Sequence, residues 1–579
     1  MEHKFDIAVI GGGPAGSTLA SLVLKYDPSK KIGVFEREKF PRDHVGESHL
    51  PIISKILNEM GAWDKIERAG FPVKIGATFR WGNNNDLWNF NFLPNAQFQV
   101  EPRPATYKGQ RQLTAFQVDR SIYDKVLLDH AKEMGADVYE ETGVRSISKE
   151  GDKVTGLTLS NGDTVTADWY IDASGHSGIL RRAMGVETQD NTSLKNIAIW
   201  GYWQNTEWAV TLGFGGTRIH VLSVGYGWIW FIPIGLTRTS IGIVMPAEYY
   251  KQSGKKPEEL LMEAVTNDPV VSKFIENGTY EGTIHTTKDW SFVADRLVGE
   301  NWFLVGESAG FADPIMSAGL TLAHGGARDV AYILLEETQA FLDMDWLKQW
   351  YDRTNRTKIK QHIRFADYWY SANGVFYNLK EYTQKIAADA GLSLDPEEAF
   401  QWLGTGGFVD EELGGTAGVG AYNLLAVKYL TSKFGGGECS WRIDGMNRFH
   451  LNIEGAERDW VASLSNGRIT RNRCYMRNGE MLASKGSYLT VITSLKKSPK
   501  LQDLMAAVEA EAREKRMNQE MFSILVQETF EALETMIISG WVTAERDEND
   551  FVLPPVQTDV SKFFHTATEQ MHLQEQESK

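Results

Sequence analysis

Apolar and polar positions change period along this chain, and each change marks an element. Residues 5–10 form a short apolar run, residues 14–25 repeat apolar positions at helical spacing, and residues 31–35 are a second apolar run. That order predicts strand, tight turn, helix, strand. Helical spacing returns over residues 51–69 and 120–135, while residues 137–172 are strand-rich and contain the turn Asn161-Gly162-Asp163. Between residues 196 and 244 polarity alternates, with Gly and Trp interleaved. This predicts an antiparallel sheet forming one wall of a cavity. Residues 317–338 read as helix, and residues 346–430 as largely helical and rich in aromatics. Gly435-Gly436-Gly437 is a flexible break and the expected boundary of a C-terminal unit. Beyond it, Ser465-Asn466-Gly467 and Arg477-Asn478-Gly479 predict hairpins, amphipathic helices extend to about residue 539, and the last fifteen or so polar residues should fray. The expected class is α/β, divided into residues 1–335 with a substrate-side sheet at about 190–300, a helical aromatic segment 336–434, and a C-terminal domain 435–579.

Composition narrows the function. With 60 basic and 76 acidic residues in 579, the net charge is −16. This argues against nucleic-acid partners, which need a basic face, and against adsorption to anionic lipid. Hydrophobic residues at 42% and charged ones at 23% are those of a globular enzyme. Cys439 and Cys474 show neither a disulfide framework nor metal-ligand spacing, and read as reduced thiols. The N-terminus enters a strand at once, leaving no signal peptide, and no apolar run approaches the ~20 residues of a membrane helix. A soluble cytoplasmic protein without a metal or a membrane partner is expected.

The chemistry starts at Gly11, Gly13 and Gly16, spaced G-x-G-x-x-G with Pro14 and Ala15 between, after a strand and opening a helix. The first glycine permits the turn, the second lets backbone approach a pyrophosphate, and the third lets helix and strand pack closely. The helix N-terminus offers free amides to the phosphates. Glu36, twenty residues after Gly16, ends the second strand where a carboxylate can accept ribose hydroxyls. On this motif alone the dinucleotide is NAD or FAD.

Two further segments, residues 171–177 (Ile-Asp-Ala-Ser-Gly-His-Ser) and residues 305–314 (Val-Gly-Glu-Ser-Ala-Gly-Phe-Ala-Asp-Pro), resemble the second and third motifs of FAD-dependent monooxygenases. The resemblance implies FAD, with Asp172, Gly306, Glu307 and Asp313 at the cofactor. Glu307 stands where those enzymes usually carry Asp. Arg42, Gly46-Glu47-Ser48 and Arg120 also fall where that family contacts its cofactor, and residues 1–335 would form the FAD-binding module.

Three markers point further. Gly227-Trp228-Ile229-Trp230-Phe231-Ile232-Pro233 matches the W-x-W-x-I-P pattern of flavin-dependent halogenases, and its two tryptophans, two residues apart on a strand, share one face. Trp228, Trp230 and Pro233 are thus expected at the active-site wall. Lys74, between apolar neighbours in Gly70-Phe71-Pro72-Val73-Lys74-Ile75-Gly76-Ala77, matches the halogenases' catalytic lysine in position and setting. A partly buried ammonium can donate a hydrogen bond to hypohalous acid, or its lowered pKa can free the amine for attack. Ser317, Ala318 and Gly319 open a helix, a natural halide site. In tryptophan halogenases a glutamate precedes that serine; here the position is Met316. This moves the resemblance toward the branch acting on phenols, pyrroles or carrier-tethered substrates.

The resemblance therefore implies a halogenase using reduced FAD from a separate flavin reductase, O2, and chloride or bromide. Hypohalous acid would pass to Lys74, which directs it to an electron-rich carbon of a small aromatic substrate, free or tethered to a carrier protein. The alternatives are an FAD hydroxylase or epoxidase, a geranylgeranyl-reductase-like enzyme, and a flavoprotein whose C-terminal unit mainly docks a partner. The segment Phe365-Ala366-Asp367-Tyr368-Trp369-Tyr370 is expected to border the substrate pocket or to be core, and Asp289 and Asp295 are the places to look for a covalent flavin link.

Overall fold

The computed structural model describes residues 1–81, 86–93, 98–99, 101–189, 194–207, 216–288, 291–339, 341–371, 373, 441–478, 480–552 and 564–566. The chain divides into two compact units, the first comprising Met1–Gly391, Asn466–Arg468 and Lys562–Lys579, and the second Leu392–Ser465 and Ile469–Ser561. The glycine break at residues 435–437 and most of segment 346–430 lie outside the described residues.

The first unit is built on two sheets. In one, the strands follow the order Asp137–Tyr139, Ile32–Phe35, Glu2–Ile10, Thr164–Asp172, Lys153–Leu159 and Val144–Glu150, with Trp302–Leu304 also beside Thr164–Asp172. Glu2–Ile10 lies parallel to both Ile32–Phe35 and Thr164–Asp172. Residues 7–10 are almost wholly buried on both faces, the reason this strand reads as an unbroken apolar run. The helix Pro14–Tyr26 follows with proline in its first turn, where the missing N–H costs nothing. Backbones crowd here. Gly11 has φ +106°, and a Cβ on it would lie 2.4 Å from the Ala173 carbonyl oxygen; one on Gly16 would lie 2.1 Å from that of Gly11.

The second sheet runs Thr279–Tyr280, Asn196–Gln204, Arg238–Pro246, Gly227–Pro233, Gly216–Val224, Val73–Arg80, Trp88–Asn91, Phe564–Thr566. The segment 196–244 supplies the expected antiparallel strands. One pairing departs from that pattern: Gly216–Val224 lies parallel to Val73–Arg80. The two are far apart in sequence, and only a long crossover can join parallel neighbours. Period-two alternation separates the faces. Ile229 and Phe231 pack with Leu260, Leu261 and Val265 of the helix Pro257–Asn267. Trp228, Trp230 and Ile232 face the other way, onto a cavity.

Elsewhere residues 51–69 form two helices, Pro51–Met60 and Trp63–Arg68, because Gly61 adopts φ +85° and ends the first. The helix expected at 317–338 spans Ala318–Gln339, and another spans Met344–Ser371. Phe564–Thr566 pairs antiparallel with Trp88–Asn91, and residues 567–579, where fraying is expected, lie outside the described residues. The second unit contains the sheet Glu457–Ser465, Arg468–Arg477, Glu480–Ala483 and the helices Gly486–Leu495, Leu501–Glu514 and Gln519–Ile538. Phe449, Val491, Leu504, Leu533 and Trp541 belong to its core. Cys474 is buried. Among the described residues no helix is long and apolar enough to cross a membrane, and no His, Cys, Asp and Glu cluster could hold a metal.

The crowding behind the glycine loop gives a test. Gly16→Ala should strip FAD from the purified protein, read as flavin absorbance per chain; full retention would contradict the 2.1 Å approach.

Candidate functional site

A cavity of about 520 Å³ begins at the glycine loop and extends to the tryptophan face of the second sheet. Gly11, Gly13, Pro14 and Ala15 line its beginning, whereas Gly16 lies behind, closing the helix on the loop. Gly13 is open, with only an Arg42 nitrogen within 4 Å of a Cβ there, at 3.7 Å. Glu36 also lines the cavity, and its carboxylate accepts the Gly12 amide at 2.8 Å and the Glu38 amide at 2.9 Å. It therefore shapes the loop as well as facing the cavity.

Arg42 and Arg120 line the same stretch, both held by Asp124. Arg120 meets both oxygens of that carboxylate, at 2.7 and 2.9 Å, and donates to the Val45 and Gly46 carbonyls. Opposite charges raise the Arg120 pKa despite burial, which alone would lower it, and hold Asp124 below the usual carboxylate range. Beside them stands half-buried His44, which burial and Arg120 hold below its ordinary value.

Gly306 and Glu307 line the cavity, but Asp172 and Asp313 do not. Asp172 is fully buried and accepts from the amides of Ser174, Leu180 and Arg181 at about 3.0 Å, a capping role for the loop and helix beyond it. Asp313 accepts the Ile315 amide at 2.9 Å and receives the Tyr370 hydroxyl at 3.3 Å. Tyr370 in turn accepts the Trp228 indole N–H at 2.6 Å. The aromatic wall is thus tied to the turn before the candidate halide loop. That turn ends at Ser317, held in the left-handed region at φ +56°, a strained conformation for serine. Ser317 and Gly319 line the cavity; Ala318 is buried and does not. The Ser317 amide already serves the Pro314 carbonyl at 3.0 Å, so an anion would meet the first-turn amides that follow.

Trp228 and Trp230 are on the cavity wall with ring centroids 6.1 Å apart. Pro233 is not: its odd position puts it with Ile229 and Phe231 on the opposite face. Trp200, from the neighbouring strand, also lines the wall. It was missed, although the shared parity of Ala198 and Trp200 on one strand was the available signal. Phe365–Tyr370 is buried, with Trp369 packed on Phe79 and Trp81 at 5.3 and 5.9 Å, and Tyr370 connects it to the wall. Asp295 does not line the cavity, and Asp289 lies outside the described residues.

Lys74 stands on the central strand Val73–Arg80, paired with Ala115 on one side and Thr217 on the other. It is 3% exposed, and among the described residues no carboxylate pairs with it. Its ammonium donates to the His49 carbonyl at 2.9 Å and lies 5.5 Å from the Phe92 ring centre. Burial pushes its pKa down to about 7. Lys74 does not line the cavity, but His49 directly follows Ser48, which does. One residue of backbone separates the two.

These residues fit FAD. Buried Ser48 Oγ and Glu47 Oε1 on the wall have no hydrogen-bond partner, the glycine cradle is open, and the far end is aromatic. A nucleotide cradle at the ends of parallel strands, leading to an aromatic-walled chamber, defines an FAD-dependent oxidoreductase. The chain belongs to the tryptophan halogenase family, whose profile matches residues 6–107 and 94–376. It is 30% identical over 391 residues to the 1H-pyrrole-2-carbonyl-(peptidyl-carrier protein) chlorinase of Pseudomonas fluorescens, covering 65% of this chain and 85% of that one. It is 31% identical over 356 residues to a flavin-dependent halogenase of Armillaria mellea, covering 57% of this chain and 65% of the other. The myxobacterial chondrochloren halogenase superposes with a TM-score of 0.58 at 27% identity, over 76% of this chain and 98% of its own. The flavin-dependent halogenase CmlS shares the fold over 97% of this chain and all of its own, with a TM-score of 0.69 at 23% identity. FAD-dependent halogenation is thereby favoured over the hydroxylase and isoprenoid-reductase alternatives.

The buried lysine has a thermodynamic signature. The folded pKa of about 7 lies below the ordinary lysine value of 10.5, so between them the unfolded chain binds the proton and the folded chain does not. Stability then rises as pH climbs from 7 toward 10.5 and is lost again on descent. Lys74→Met should stabilise the protein at pH 7 by a few kcal/mol, on the order set by that shift, with the gain vanishing toward pH 10.5. Denaturation midpoints across that range check it.

Proposed function

We propose that Lys74 directs hypohalous acid to an electron-rich carbon of a phenolic, pyrrolic or carrier-tethered substrate. Bound reduced FAD, with O2 and chloride or bromide, supplies the hypohalous acid. The observation that carries the proposal is the isolation of Lys74: buried, unpaired with any described carboxylate, and one backbone residue from the cavity wall. An ordinary lysine avoids that environment, because removing its charge from water is costly without a partner.

In this reading the Gly11–Gly16 loop, Glu36, Arg42, Ser48, Arg120, Gly306 and Glu307 hold the cofactor, with Asp172 and Asp313 fixing the loops around it. The first-turn amides at Ser317–Gly319 hold the halide, where a helix terminus favours an anion. Trp228 and Trp230 wall the chamber and keep bulk water from the reactive end. The strand Val73–Arg80 separates the substrate from the flavin, so oxygen transfer to the substrate is suppressed. The resemblance to a carrier-protein chlorinase supports a tethered substrate, and Met316 in place of glutamate argues against free tryptophan. A separate flavin reductase supplies the electrons, in a cytoplasmic setting. Residues 1–335 form the catalytic module, which the helix Met344–Ser371 borders through Tyr370.

Lys74→Ala should abolish halogenation while leaving FAD binding and peroxide release intact. The assay is mass spectrometry of phenols and pyrroles, free and carrier-bound, with reduced FAD and chloride or bromide. Halogenated product at the wild-type rate from the variant would end the proposal.

A further inference from the structure

A second buried ionisable group belongs to the cavity and has no part in that scheme. Glu47 lines the cavity yet is 3% exposed, and its Oε1 has no hydrogen-bond partner. Its backbone is fixed, the carbonyl accepting the Val118 amide at 2.7 Å. Tyr202 and Ser240 face it from the second sheet, Asp119 and Arg120 from the start of the helix Arg120–Glu133. Neither charged neighbour closes on it. Arg120 is held by Asp124, while Asp119 accepts Arg238 at 2.8 Å and the Ser121 amide at 2.9 Å. Arg238 also reaches Asp43, which faces Tyr202. Burial pushes the Glu47 carboxyl up to about 7, with Asp119 adding to the rise and Ser240, Tyr202 and Arg120 opposing it.

We propose that Glu47 is a proton carrier of the flavin cavity, taking up a proton when the bound FAD is reduced and yielding it to the oxygen chemistry. The argument is electrostatic. Reduced flavin is anionic at neutral pH, and its charge and that of buried Glu47 in one cavity repel strongly, so reduction drives Glu47 to its neutral form. The overall conversion requires that proton: anionic reduced flavin, O2, halide and two protons give oxidised flavin, hypohalous acid and water. O2 is the oxidant, the flavin and halide are oxidised, and Glu47 furnishes one of the two protons. Solvent returns it between turnovers.

The inference rests on FAD occupying this cavity, not on halogen transfer, so its test is independent of any halogenated product. Holoprotein is reduced anaerobically by a photoreductant in weak buffer, and proton uptake is counted with an indicator dye from pH 5 to 9. Wild type should take up more protons than Glu47→Gln, with the difference largest near pH 7 and fading toward pH 5, where Glu47 is already neutral. Lys74, the other group brought near 7, and His44, on the same wall, are the competing sources. Lys74→Ala and His44→Gln should therefore keep the excess uptake. Equal uptake by Glu47→Gln and wild type at full FAD occupancy would overturn the proposal. Should Glu47→Gln lose FAD, Glu47→Asp decides: uptake displaced along the pH axis supports the role, and an undisplaced curve refutes it.

Discussion

Four strand ends converge behind the glycine loop, and the rest of the site depends on how closely they pass. The Gly11 amide donates to the Phe35 carbonyl, the Ala173 amide to Ile10, and the Val305 amide to Asp172, each at 2.9 Å. This knot of backbone bonds aligns the ends of Glu2–Ile10, Ile32–Phe35, Thr164–Asp172 and Trp302–Leu304, so their loops open on one side. Such a rim at the carboxyl ends of parallel strands is where open α/β sheets bind ligands. The knot tolerates no side chain at Gly11, and Asp172 locks one of its loops with three amide contacts. The cofactor's place is thus a property of the main chain before any polar side chain contributes.

From that rim the environment dries progressively. At the nucleotide end, Arg42 and Arg120 are matched by Asp124, and both charges persist. Farther in, Glu47 and Lys74 are buried without such partners, and desolvation brings an acid and a base to similar pKa values near neutrality. His49 and His324 are kept well below the ordinary histidine range by the same burial. Charge is therefore permitted beside the glycine loop and discouraged around Glu47 and Lys74. Groups poised between two protonation states are suited to moving protons.

Much of this was legible because periodicity and glycine spacing report backbone geometry directly. The strand–loop–helix at Gly11–Gly16, the helix at 120–135 and the paired tryptophans emerged as read. Pro233 did not, since a motif match ignores which face an odd position takes on a strand. The break at Gly61 was hidden because a single glycine interrupts apolar spacing without changing its period. Asp172 and Asp313 were read as cofactor contacts; neither lines the cavity, and each accepts backbone amide N–H in its own loop, a role set by loop conformation and invisible to motif comparison. The separation of Lys74 from the flavin cavity by the backbone of His49 depends on the parallel joint between Val73–Arg80 and Gly216–Val224, a pairing between strands well separated in sequence.

The short strand Phe564–Thr566 has a consequence for the order in which the protein is made. It completes the edge of a sheet whose other members are all synthesised by residue 288, and the second unit, 392–465 and 469–561, is translated in between. At roughly 5–20 residues per second, the strand Trp88–Asn91 waits roughly 10–40 s after the first unit's main body emerges before its neighbour exists. During that interval its backbone groups on that side lack their final partner, and an unpaired strand edge is a template for pairing with other chains. The first unit is consequently most exposed to misassembly on the ribosome until residues 564–566 emerge and seal that edge.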